Sequence, residues 1–128
     1  MKKLIVLISI FIGFIPNNFA AIIFNKWQKV DQVIYAEKDN RYSYYAKIDV
    51  ANNQINGIGI MINNKVKYYK VDTYTIRDIK LIGEDCKDIN IICKNGTFIN
   101  VFLPINRVGV DISITENNKT IKYRINHE

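Results

Sequence analysis

Glu84, Asp85 and Asp88 gather three carboxylates around Cys86. Two carboxyls held a few ångströms apart can divide acid and base work, as in glycoside hydrolysis, so this cluster is the candidate for a carboxylate-dependent hydrolase or a metal contact. The plainer reading is a solvated acidic loop. Nothing else in the chain completes a catalytic set. The only His is His127, next to the last residue, where chains fray, and that argues against Ser-His and Cys-His arrangements. There is no G-x-S-x-G, P-loop, G-x-G-x-x-G or H-E-x-x-H motif. These residues point to a protein that is not an enzyme and that uses no cofactor or metal.

Cys86 and Cys93 are the only cysteines. An even pair in an oxidising compartment usually closes into a disulfide, which over a loop of this size stabilises by about 2–3 kcal/mol. A continuous strand would hold the two Cα atoms roughly 23 Å apart, at about 3.3 Å per residue, whereas a bridge requires less than about 7 Å. The expected Cys86–Cys93 disulfide therefore demands a turn at 87–90, where Asp88 and Asn90 are turn formers. The C-x6-C spacing is neither a redox motif nor a zinc motif.

The most distinctive candidate binding residues are Lys65-Val-Lys-Tyr-Tyr-Lys70. On a strand, Lys65, Lys67 and Tyr69 share one face, and Val66 and Tyr68 the other. Interleaved lysines and aromatics serve single-stranded nucleic-acid platforms, but they also suit a protein partner, and lysines guard edge strands. Tyr42, Tyr44, Tyr45, Tyr68, Tyr69 and Tyr74 lie close together in sequence, and tyrosine is enriched at protein interfaces. Tyr45, Lys65, Lys67, Tyr69 and Lys70 are accordingly the expected partner-binding set. The partner is a protein rather than nucleic acid.

The elements that position these residues are strands. The composition is rich in Ile, Asn, Lys and Tyr and poor in Leu and Ala, which favours sheet over helix. Asn52-Asn53, Asn63-Asn64, Asn95-Gly96 and Asn117-Asn118 each sit between runs of alternating apolar residues, and Asn tolerates the positive φ of tight hairpins. A two-residue turn at Asn117-Asn118 pairs 114 with 121, 112 with 123 and 110 with 125, placing every apolar side chain on one face. A two-residue turn at Asn95-Gly96 sets Cys93 opposite Phe98, Ile92 opposite Ile99 and Ile91 opposite Asn100, in strands apolar on both faces and so central to the sheet.

At Asn52-Asn53 a three-residue loop that includes Gln54 pairs 48 with 58, 46 with 60 and 44 with 62. It leaves Gly57 and Gly59 outward, opposite Asp49 and Lys47. Outward strand glycines mark a bulge, a close approach of backbone or ligand, or a flat surface. Ile23, Trp27, Val30 and Ile34 recur at helical spacing, so irregular structure or one short helix near 22–28 is expected, followed by a strand to about residue 37. Residues 71–83 fit no single register.

Residues 1–20 read as a secretory signal peptide. Lys2 and Lys3 precede an apolar run from Leu4 to Ile15, and Ala20 or Ala21 marks the cut. The run is too short to cross a bilayer, which needs roughly 20 apolar residues. Removing it takes two lysines and no acid, so the formal charge falls from +6 to +4. Residues 21–128 then form one domain, exported to the periplasm or beyond, with no stable membrane insertion after cleavage. Asn95-Gly-Thr97 and Asn118-Lys-Thr120 match glycosylation sequons, but they read here as turns.

Trp27 with Val30, the Tyr44-Tyr45 pair opening a strand, and Asp85-Cys86 about forty residues later together resemble the surface-adhesin protein E family of small exported bacterial proteins. The likeness spans roughly residues 27–93. It departs from the family pattern at Ala46, where that family tends to carry Asp, and in a following strand without Trp. The resemblance implies a mainly antiparallel sheet and a role in binding host or envelope proteins, and it carries over no catalytic residue.

The fold expected is all-β, an antiparallel meander of about seven to nine strands forming a curled sheet, small barrel or sandwich. The function expected is that of an exported binding protein, adhesin-like or of an inhibitor or immunity type. A small-ligand-binding barrel, its cavity lined by Tyr44, Ile60 and Tyr68, is the alternative.

Overall fold

The computed structural model describes residues 23–81, 84–104 and 109–125. The signal peptide assigned to residues 1–20, His127 and the Glu84 side chain lie outside the described residues. The fold is all-β, and the described residues form nine strands and no helix: β1 (Gln28–Lys29), β2 (Gln32–Ile34), β3 (Tyr44–Ala51), β4 (Gln54–Ile62), β5 (Lys65–Leu81), β6 (Glu84–Cys93), β7 (Phe98–Pro104), β8 (Val110–Glu116) and β9 (Lys119–Ile125). Every strand pairing is antiparallel, in the order β1-β3-β4-β5-β6-β7-β8-β9-β2. The sheet curls into a half-barrel.

Asparagine makes the tight turns. Asn52 and Asn53, Asn63 and Asn64, and Asn117 and Asn118 all adopt positive φ, between 53° and 64°, as two-residue hairpin turns whose twist matches that of the strands require. The Asn117-Asn118 hairpin has the expected register, with Ile114 opposite Ile121, Ile112 opposite Tyr123 and Val110 opposite Ile125.

The β3–β4 pairing of Ile48 with Ile58, Ala46 with Ile60 and Tyr44 with Ile62 also holds. Its extra residue sits elsewhere than expected, however. The turn has two residues, with Ala51 opposite Gln54, and a bulge at Asn56 supplies the offset between the Asp49–Gly57 and Val50–Ile55 pairs.

The Asn95-Gly96 hairpin differs by one residue. Cys93 N–H donates to Thr97 O at 2.9 Å, Gly96 N–H donates to Cys93 O at 2.9 Å, and Gly96 takes φ 88°. This is a three-residue loop with glycine in the left-handed position. Ile91 therefore meets Ile99, Asn90 meets Asn100 and Ile92 meets Phe98. A one-residue slip moves each side chain to the other face. Ile91, Cys93, Ile99 and Val101 fill the core, while Ile92 and Phe98 stay 51% and 40% exposed on the outer side. These strands are central, as expected.

The start of the domain is extended rather than helical. Phe24 forms a parallel bridge to Ile48. Asn25 caps the β3 edge with its amide, whose Oδ1 accepts from Val50 N–H at 2.8 Å and whose Nδ2 donates to Val50 O at 3.0 Å. Val30 N–H then donates to Tyr44 O, and Asp31 N–H to Arg124 O. The stretch from β1 to β2 thus leaves one end of the sheet and joins the other. Ile23 and Val30 are fully buried. Their helical spacing coincides with two short extended pieces that turn between sheet ends. The strand stops at Ile34 rather than near 37, and Tyr35 follows it at φ 71°.

The core lies inside the curl. It joins Tyr44, Ala46 and Ile48 of β3 and Ile58 and Ile60 of β4 to Ile89 and Ile91 of β6, Ile99, Val101 and Leu103 of β7, and Val110, Ile112, Tyr123 and Ile125 of β8 and β9.

Candidate functional site

β5 organises the surface because it belongs to both halves of the sheet. Residues 65–70 pair with β4 and residues 71–81 with β6. A bulge at Asp72, between the Val71–Cys93 and Thr73–Ile92 pairs, exchanges inward and outward positions along the strand. Ahead of the bulge Lys65, Lys67 and Tyr69 face inward, opposite Ile62, Ile60 and Ile58, while Val66, Tyr68 and Lys70 face outward, opposite Met61, Gly59 and Gly57.

The expected binding set is therefore divided. Tyr69 is only 5% exposed, and its hydroxyl donates to Glu116 Oε1 at 3.0 Å. Lys67 Nζ donates to the same oxygen at 2.7 Å, and Thr97 Oγ1 reaches Oε2 at 3.5 Å. The Lys67 hydrogen bond and charge, with help from Tyr69 and Thr97, hold the Glu116 carboxyl below its ordinary range despite partial burial. Burial, then the Glu116 carboxylate, push the Tyr69 phenol far upward. Lys67 and Tyr69 thus tie β5 to the end of β8. Lys65 and Lys70 are exposed, and Tyr45 is half-buried on the outward side of β3. The structure brings Tyr45 together with Met61 and Val66, in one row across β3, β4 and β5.

Beside that row lie two aromatic rings that sequence reasoning did not join to it. The outward glycines of β4 are covered by the protein itself. A Cβ on Gly59 would come within 2.8 Å of the Trp27 ring, and one on Gly57 would run into the Tyr68 ring. Lys47 Nζ sits over the Trp27 ring, 4.9 Å from its centre. Burial and a hydrogen bond to Asp49 push the Tyr68 phenol up to about 12. Both rings lie against bare backbone, the arrangement that an outward G-x-G in a strand permits. Val66 and Tyr68 remain 55% and 42% exposed. The outer face of β3–β5 thus carries Tyr45, Met61, Val66, Tyr68 and Trp27, with Lys29, Lys47 and Lys70 among them.

The carboxylate cluster does not converge. β6 is one uninterrupted strand, so Asp85 and Asp88 point to opposite faces. Asp85 is exposed and pairs with Lys80 at 3.6 Å. Asp88 is buried on the outer side, where Arg77 Nη2 donates at 2.9 Å, Asn100 Nδ2 at 2.7 Å and Asn90 Nδ2 at 3.3 Å. Desolvation raises its pKa, but the hydrogen bonds from Asn100, Arg77 and Asn90 outweigh it and leave the carboxyl below its ordinary value. Among the described residues no three His, Cys, Asp or Glu side chains gather as a metal site.

The continuous strand also overturns the expected disulfide. Cys86 and Cys93 are buried and not bonded to each other, because no turn interrupts residues 87–90. Burial raises the Cys93 thiol pKa, the reverse of what an activated nucleophile needs.

The cavity expected for a ligand barrel is not lined as anticipated. Tyr44 and Ile60 lie on the core side and Tyr68 on the outer face. A separate groove of about 380 Å³ runs between the turns at Asn95–Phe98 and Thr115–Asn118, and another of about 340 Å³ involves Tyr42, Ile60, Ile62 and Lys65.

No protein-family model matches the chain, and no curated protein or solved structure matches it either. The residues that suggested the adhesin family have structural positions of their own. Trp27 covers Gly59, Val30 and Tyr44 are buried, and Asp85 and Cys86 lie within β6.

Proposed function

We propose that this chain is an exported, non-enzymatic binding protein that engages another protein, in the bacterial envelope or at a host surface, through the outer face of β3–β5. The observation that carries the reading is the exposure of Val66 and Tyr68 beside Tyr45 and Met61 on a sheet face dotted with lysines. Aromatics and Met are enriched at the centres of protein interfaces, and such anchors supply most of the binding energy. The leader at residues 1–20 supports export. The likeness to surface-adhesin protein E supports an adhesin-like partner, and an inhibitor or immunity role uses the same face.

The test is recovery of proteins from an envelope extract by wild type and by Val66→Glu. Val66 is outward and exposed, so the charge leaves the core intact while placing a carboxylate in the face. Loss of a specific protein by the variant, at an unchanged melting temperature, supports the reading. Equal recovery of every protein removes it.

A further inference from the structure

β5 is paired on one side at a time. Residues 65–70 have β4 on one side, and pairing with β6 starts only at Val71. On that second side Lys94 N–H donates to Lys70 O at 2.9 Å, where the β6–β7 turn passes. Among the described residues no strand pairs with the second edge of Lys65–Tyr69. Exposed backbone of this kind is a template for an added strand. Lys65, Val66, Lys67, Tyr68 and Lys70 are exposed, while Tyr69 is buried on the inner side, so the edge is open on the outer face.

The charge around this edge selects its occupant. Lys65, Lys67 and Lys70 lie along it and Lys94 at its end, while the nearby Glu116 is held by Lys67 and Tyr69. A second copy adding edge to edge would set lysine against lysine, which is destabilising. An acidic strand reverses the sign of that interaction. The 340 Å³ groove formed by Tyr42, Ile60, Ile62, Lys65 and Lys67 lies over the inner face of the β4–β5 pair, on the side away from this edge, so the lysines are left to choose the occupant.

We propose that the free edge of Lys65–Tyr69 takes up an extended acidic segment of a protein partner as an additional antiparallel or parallel strand. This rests on the protein-binding reading and names how that partner is held. Main-chain hydrogen bonds supply affinity, and the lysines supply selectivity.

The probe is a capped octapeptide of alternating Glu and Val, titrated into the full chain while amide hydrogen exchange is followed residue by residue. The edge-facing amides among 65–69 should exchange quickly in the free protein and slow at least tenfold with peptide. Lys65→Glu/Lys70→Glu should weaken the peptide at least tenfold, and a peptide N-methylated at alternate residues should not bind. Strong protection of those amides before peptide is added, equal binding of the N-methylated peptide, or equal binding of a Lys-Val peptide would overturn the proposal. If the Glu-Val peptide fails to bind while Val66→Glu still loses an envelope protein, the edge falls and the face stands.

Discussion

Glu116 Oε1 lies 2.7 Å from Lys67 Nζ although 49 residues separate them, and Tyr69 donates to the same oxygen. The contact fastens the outer part of β5, which β6 does not reach, to the end of β8. Tyr69→Phe should cost about 1.5–3 kcal/mol, as loss of a hydrogen bond to a charged group does. The urea midpoint should fall with an unchanged slope.

Acid titration should report the same contact. Lys67 and its neighbours depress the folded-state pKa of Glu116, so the stability it contributes is full above the unfolded value near 4.5 and is lost as pH falls through the folded value. Glu116→Gln should be less stable than wild type at pH 7 and lose less stability on acidification to pH 3. Parallel curves for the two proteins would place the acid-sensitive groups elsewhere, with Asp88 the first to test.

Gly59→Ala should push the Trp27 ring away from β4, because the new methyl would sit 2.8 Å from it. Overpacking of this kind costs about 1–3 kcal/mol. Trp27 is the single tryptophan, so a red shift of its emission reads the displacement directly. An unshifted spectrum with raised stability would mean that the ring does not cover this glycine.

Asp88→Ala should cost about 1–3 kcal/mol by removing the acceptor that Arg77 and the half-buried amides of Asn90 and Asn100 share. Asp85→Ala should be nearly silent, since Asp85 is exposed and a surface ion pair contributes about 0–1 kcal/mol. Thermal denaturation of the two variants side by side separates a structural carboxylate from a solvated one.

The purified protein should contain two unoxidised thiols that react with a thiol reagent only on unfolding, and its melting temperature should not change with reductant. A mass lower by about two hydrogens, together with a reductant-sensitive melting temperature, would restore the disulfide.

The sequence revealed the hairpins wherever two asparagines supplied both positive-φ residues. Alternation then set the register of β3–β4 and β8–β9. It failed where one residue broke the period. Gly96 closed a three-residue loop that looks the same as a two-residue one in composition, and this turned Ile92 and Phe98 outward. The bulge at Asp72 made 71–83 unreadable, since its two sides alternate in opposite phase. The helical stripe at Ile23 to Ile34 arose because Ile23 and Val30 enter the core from separate extended pieces.

At the site, the alternation along Lys65–Lys70 was legible, but the partner of its inward face was not. Glu116 is distant in sequence and carries no local mark. The outward glycines gave a usable signal, a G-x-G opposite Lys47 and Asp49. What covered them could be found only by bringing Trp27 and Tyr68 to the same face.

The most direct measurement places a photo-crosslinking phenylalanine at position 66 and, separately, at exposed Thr120 on β9, with both proteins exposed to the same envelope extract. Position 66 should give one discrete protein adduct, and position 120 none of that mass. The same adducts from both positions, or none from position 66, would contradict a binding face on β3–β5.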